Sequence, residues 1–140
     1  MSLDDIAPLA SAAVGSDAVN VSSVSTCDVD EQAAMISDWA EQYLQISPGS
    51  FAGNLHQVQF GKTQVFSETV SQRVHEMGSA WPGSLVLALV RNASEPLRWH
   101  GRLAGATDVA CFSGHQEFDI VVPACSEILA VAMDCCPCWH

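Results

Sequence analysis

From Gly49 onward, apolar and polar residues alternate over short runs, and Gly, Pro and Asn break the runs. Alternation with a period of two marks a half-buried strand. The runs predict strands over Phe51–Phe60, Thr63–Val70, Arg73–Glu76, Leu85–Val90, Arg98–His100, Asp108–Phe112, Phe118–Val122 and Ile128–Met133. The predicted breaks are Gly61-Lys62, Met77-Gly78, Trp81-Pro82-Gly83, Asn92 to Pro96, Ala104-Gly105, Ser113-Gly114 and Pro123. Short strands at this spacing argue for a β-sandwich or barrel. A parallel α/β fold needs helices between strands, and these gaps are too short for them. Gln57, Gln59 and Lys62 interleave with Val58 and Phe60, the pattern of a half-exposed strand. Leu85–Val90 has no polar face, which predicts a central strand covered on both sides.

The chain before Gly49 reads differently. Asp28 is a good helix N-cap, and Glu31 stands three residues on, as in a capping box. Ile36, Trp39, Ala40, Tyr43 and Leu44 recur at helical spacing, so periodicity alone runs the helix to about Leu44. Ser47-Pro48-Gly49 ends it, because Pro48 cannot continue a helix. Residues 1–26 are rich in Ala, Ser and Val without a period. They read as a flexible lead-in with one short strand near Val19 to Val24.

Length and charge narrow the function. The 140 residues suit one domain with one core. The longest apolar run, Leu85–Val90, falls far short of the roughly 20 residues that span a bilayer. The first 26 residues hold no Lys or Arg and no sustained apolar stretch, so no secretory signal is expected and the cytoplasm is the expected location. Five basic residues stand against sixteen acidic ones, a net charge of −11. Binding of duplex DNA by this chain is not expected, since phosphates need Lys and Arg to neutralise them. Residues 1–50 carry eight of the acids and no Lys or Arg, which reads as a solvated, solubilising face.

The candidate chemistry is sparse. His56, His75, His100, His115 and His140 stand singly, with no His-x-His pair, so no metal site is expected. Cys135 and Cys138 form one Cys-x-x-Cys half-site without a second, too few for structural zinc. Cys27, Cys111 and Cys125 read as small buried thiols. No Gly-x-Ser-x-Gly elbow or phosphate loop occurs, and no catalytic residue is assigned. Ligand binding fits better. Apolar cavities in β-barrels carry aromatic walls and a few placed polar groups. Phe66, Glu68, Arg73, Trp99 and His100 are the candidate ligand-binding residues, with Trp81 and Arg98 of the same kind nearby. Glu68 shares the strand face of Phe66. If that face points inward, Glu68 needs a donor from Arg73, Trp99, His100 or a ligand. The opposite orientation puts Val65 inward and Glu68 in water.

The stretch Asp38-Trp39-Ala40-Glu41-Gln42-Tyr43-Leu44-Gln45-Ile46-Ser47-Pro48-Gly49-Ser50-Phe51-Ala52-Gly53-Asn54-Leu55 resembles the amino-terminal domain of AraC/XylS-type transcriptional regulators. Val65-Phe66-Ser67-Glu68 is similar to that group's next strand, Arg98-Trp99-His100-Gly101 to its Trp-x-Gly turn, and Glu117-Phe118-Asp119 to its following strand. The resemblance covers about residues 28–133. It implies a mainly β, cupin-like β-barrel of double-stranded jelly-roll type with one short N-terminal helix. The expected division is a lead-in over 1–26, a sensor barrel over 27–134 and a Cys-rich tail over 135–140. The resemblance makes Tyr43 to Ser47 a strand and ends the helix near Trp39 to Gln42, against the periodicity. It implies a small-molecule effector and a homodimer without cofactor, since such barrels pair through edge strands or an adjoining helix. These regulators continue into helix-turn-helix domains, whereas this chain reaches His140 before any such helices, as expected of a cut or orphan sensor barrel. The other reading is a stand-alone cupin-fold protein that binds or acts on a small metabolite. A purely structural pairing domain would have a barrel packed solid.

Overall fold

The alternating runs build two antiparallel sheets in the computed structural model, which describes residues 18–135. The larger sheet contains β1 (Val19–Thr26), β3 (Gly53–Phe60), β4 (Thr63–Val70), β11 (Ser126–Asp134), β6 (Ser84–Arg91) and β9 (Ala110–Ser113), in that order. The smaller contains β2 (Ala40–Gln45), β5 (Val74–Ser79), β10 (Phe118–Val122), β7 (Leu97–Trp99) and β8 (Arg102–Ala104). The two sheets face each other over one core. No ladder joins them among the described residues, so the barrel expected from the sequence does not close. No helix among these residues is long and apolar enough to cross a membrane.

Strands β4 and β10 have the bounds their alternation predicts. The predicted turn at Met77-Gly78 is absent. Gly78 lies inside β5 opposite Glu41, with φ of 153°. A Cβ there would stand 2.1 Å from the Ala40 carbonyl oxygen. Glycine serves close approach to β2 here, not a bend.

The lead-in expected over 1–26 is shorter than that. Val19–Thr26 is a full strand paired with β3 along its length; the rest of the lead-in, like Cys136 to His140 of the tail, lies outside the described residues. Cys27, Cys111 and Cys125 are exposed rather than buried, as is Cys135. The helix is also shorter than periodicity predicts. It is α1 (Val29–Ala33). Asp28 caps it, accepting from the Asp30 and Glu31 amides. The capping box is only half formed, because Thr26 Oγ1 takes the Asp28 amide. The chain then turns through Asp38, where φ is +67°, and enters β2. Cross-strand pairing from Ala40 overrides the helical spacing: the strand lies over Ala40–Gln45 rather than Tyr43 to Ser47, and the helix ends at Ala33, short of the Trp39 to Gln42 end that the resemblance implies.

Leu85–Val90 is central but covered on one face only. Val86 and Val90 are buried, while Leu87 on the other face is 39% exposed. Pairing registers set Leu87 in an outward row running Val21, Val58, Val65, Val131, Leu87 and Cys111 across all six strands. The run lacks polar residues because both faces of β6 are apolar over this stretch, not because both are buried.

Replacing Gly78 by Ala is expected to lower stability by about 3 kcal/mol, through backbone collision and strain. Gly83→Ala has an equally unfavourable φ but nothing within 4 Å of its Cβ, and should cost about 1 kcal/mol. Urea unfolding midpoints of the two variants check the difference. Equal losses would contradict close approach as the reason for Gly78.

Candidate functional site

Between the sheets lies a cavity of about 360 Å³. Its cause is a row of small side chains. Register places Phe66, Ala130, Ala88 and Ala110 side by side across β4, β11, β6 and β9, facing the smaller sheet. All four line the space. Three alanines in line leave room that larger residues would fill, since protein interiors otherwise pack to crystal density. Aromatic side chains bound it. Trp39 stands edge-on to Phe66 at 5.2 Å between ring centroids and to Phe118 at 5.9 Å, and Trp99 packs on Phe112 at 5.1 Å. Arg102, Leu103, Asp108 and Val109 line it as well and are exposed, so they mark its outer end.

Trp39 is held in place by a polar residue that carries no charge. Gln64 is 1% exposed. Its Oε1 accepts from Trp39 Nε1 at 2.9 Å and from Trp81 Nε1 at 3.3 Å. Its Nε2 donates to the Ser37 carbonyl at 3.1 Å and to Gln57 Oε1 at 3.3 Å. Every hydrogen-bonding group of the amide has a partner, so burying it costs little.

Three carboxyl groups meet in the cavity wall. Glu41 comes from β2, Glu68 from β4 and Glu76 from β5. Strand alternation aims each inward: Glu68 with Phe66, Glu76 with Val74, and Glu41 with Tyr43. Glu68 and Glu76 are each 2% exposed. Tyr43 donates its hydroxyl to Glu68 Oε2 at 2.7 Å, and Gln32 of α1 donates Nε2 to the same oxygen at 3.2 Å. Gln32 also donates to the Thr69 carbonyl at 3.1 Å, which ties α1 to β4. Glu41 Oε1 and Glu76 Oε2 are shut off from water and have no hydrogen-bond partner among the described residues.

Electrostatics follow from this enclosure. Burial pushes the Glu68 carboxyl up to about 7, opposed by hydrogen bonds from Tyr43 and Gln32. Burial raises Glu41 well above the usual carboxylate range, and the neighbouring Glu68 charge adds to it. Glu76 is raised in the same direction by burial, then by Glu68 and Glu41. Burial and the three carboxylates also raise Tyr43, which keeps its proton and stays a donor. No basic side chain forms an ion pair with any of the three among the described residues.

Phe66, Glu68 and Trp99 therefore stand together around one space. Arg73 and His100 do not join them. Arg73 precedes inward-facing Val74, so it points out and pairs with Glu95. His100 sits in the turn after β7 with φ of +49°, exposed and edge-on to Trp99. The donors to Glu68 are Tyr43 and Gln32, not Arg73, Trp99 or His100. Sequence reasoning missed Glu41, Tyr43 and Glu76. Their signal was present as Glu41-x-Tyr43 and Val74-x-Glu76, each an inward pair at strand spacing.

The raised carboxyls set the sign of the pH dependence. Folding holds on Glu68 a proton that the unfolded chain releases above its ordinary value of 4.5. That stabilisation is complete below 4.5 and is lost as pH rises through about 7. Stability of the ligand-free protein is expected to fall by about 2 kcal/mol from about pH 5.5 to about pH 8 on account of Glu68 alone. Glu68→Gln should remove that share. Urea unfolding across this range measures it, and a profile that rises toward pH 8 would contradict the burial of these acids.

No protein-family model matches this chain, and no solved structure matches it. The chemistry of the cavity therefore carries the functional argument.

Proposed function

We propose that this chain is a small-molecule-sensing domain similar to the amino-terminal domain of AraC-type regulators. The observation that carries the reading is the cavity of about 360 Å³ between the sheets. A pairing domain without a ligand would be packed solid there. The volume lies in the usual range for small-ligand sites, and its lining combines aromatic walls with a few buried polar groups. Two facing antiparallel sheets with ligand space between them support the cupin-like, jelly-roll reading of the fold. Phe66, Glu68 and Trp99 are the proposed ligand contacts among the residues singled out from sequence, joined by Trp39, Glu41 and Glu76.

The test uses a panel of sugars, amines, alcohols and aromatic acids. A ligand at a hundred times its Kd adds about 2.7 kcal/mol of stability, a Tm rise on the order of 10 °C for a domain of this size. Binding is also expected to change the fluorescence of Trp39 and Trp99, which line the space. Ala88→Phe should fill the cavity and abolish both signals while leaving the fold intact. A panel member that binds Ala88→Phe as well as the wild type would place recognition elsewhere.

Pairing with a second copy is part of the same proposal. The outer face of the larger sheet carries the apolar row through Val65 and Leu87. Arg91 and Glu127 on that face pair with each other. In a chain of net charge −11, an uncharged apolar row of this kind adds little repulsion between two copies. Light scattering at high micromolar concentration is expected to give twice the 14.9 kDa chain mass. Leu87→Glu should return it to the monomer. A wild-type monomer at that concentration would remove the homodimer from the reading.

A further inference from the structure

We propose that the cavity takes a small organic cation, an ammonium or guanidinium group on an apolar body, with its charge at Glu41, Glu68 and Glu76. This rests on the reading of the cavity as a ligand site and names the class of ligand. Three carboxyl groups from three strands converge on one wall. Glu41 Oε1 and Glu76 Oε2 are acceptors enclosed without a donor. Glu76 is 2% exposed and lines the cavity. Buried acceptors are normally satisfied, so two orphans at one wall mark the place where a donor from outside belongs. An ammonium offers three donors, and a guanidinium five in a planar fork.

The remaining walls favour the same class. Trp39, Phe66 and Trp99 present aromatic rings to the space, and a cation over such a ring is attracted by its quadrupole. Ala88, Ala110 and Ala130 leave room for an apolar body. An anionic ligand would meet three acids, with Arg102 at the exposed outer end as the only basic lining residue among the described residues. A bare metal ion fits poorly, since no group of His, Cys, Asp or Glu among the described residues is spaced to hold one.

Binding of the cation moves protons. The groups facing the charge are Glu41 and Tyr43 on β2, Glu68 on β4 and Glu76 on β5. Arg102 and Asp108 stand toward the outer end. The cation arrives already charged, and one or more of the protonated carboxyls releases its proton to solvent, so no bond is made or broken elsewhere. Affinity then rises with pH, by up to about tenfold per unit for each proton released, as long as the ligand-free protein still holds that proton.

The test measures binding by calorimetry at about pH 7.5 with matched probes: phenethylamine and tryptamine against phenethyl alcohol, tryptophol and phenylacetate. The amines are expected to bind at least tenfold more tightly than the alcohols of the same shape, and phenylacetate not at all. Amine binding should release protons, seen as a heat that changes with the ionisation enthalpy of the buffer. Glu76→Gln and Glu41→Gln keep the side-chain volume, and each should weaken the amines tenfold or more. The matched pairs on wild-type protein decide the matter even if a variant fails to fold. Alcohols binding as tightly as amines, or amine affinity unchanged in Glu76→Gln, would overturn the cation. A neutral sugar that binds wild type but not Ala88→Phe would overturn the cation and leave the sensing reading in place. No response to any member of either panel would overturn both.

Discussion

Three carboxyl groups share one largely apolar chamber without an ion-pair partner among the described residues, and much of the surrounding structure answers to that fact. A buried charge with no partner is costly, so a chain that places acids there must supply donors or hold protons. It does both. Tyr43 and Gln32 direct their donors to one oxygen of Glu68, which draws β2 and α1 onto β4. Glu41 Oε1 and Glu76 Oε2 have no hydrogen-bond partner among the described residues, and burial holds both carboxyls in the protonated direction against the opposing effect of Tyr43. Removing Tyr43 or Gln32 would therefore remove a donor as well as packing. The short helix needs such anchors, since five residues are too few to be stable alone. Its position depends on Gln32, the Asp28 cap and packing of its apolar residues on the core.

The cavity is a consequence of sheet register as much as of residue choice. Ala130, Ala88 and Ala110 are ordinary small residues taken one by one. Pairing of β11 with β6 and of β6 with β9 places them in one row beside Phe66. A slip of one residue would turn Val131, Leu87 and Cys111 inward and close the space. Gln64 of β4 accepts from two indole donors, and the bond to Trp39 fixes that ring edge-on to Phe66.

How far the sequence discloses this depends on the range of each signal. Alternation is local, and it places Thr63–Val70 and Phe118–Val122 with their correct bounds. It also puts Glu68 on the face of Phe66, which is how one member of the acid trio was legible. Glu41 was hidden because Ile36, Trp39, Ala40 and Tyr43 also fit a helix, and only pairing with β5 decides for a strand. Glu76 stood at the edge of a predicted turn, because the reason for Gly78 is the close approach of β2, whose Ala40 carbonyl oxygen would lie 2.1 Å from a Cβ there, and not the chain's own direction. Arg73 and His100 carried suitable chemistry in β-rich segments, yet their orientation depends on Val74 filling the core and on a left-handed turn. The outward row on the larger sheet was misread as burial for a similar reason. Hydrophobicity in a strand does not say which of two apolar faces is covered.

That larger sheet has two jobs in the proposed reading, and the same strands carry both. Phe66, Ala130 and Ala88 face the cavity, while Val65, Val131 and Leu87 face outward from adjacent positions. A ligand can bias pairing only if its affinity differs between the paired and unpaired forms. Strands only one residue thick between the two faces give such a difference a short route. Pressure on the alanine row changes sheet twist or spacing, and the outer row would have to follow because successive side chains share one backbone. The coupling is reciprocal by linkage, so a second copy on the outer face would alter affinity for the ligand by the same factor. An enclosed site with unpaired acceptors is well placed for this. Satisfying Glu41 and Glu76 releases a local cost of burial, and that free energy is available only when the ligand is seated.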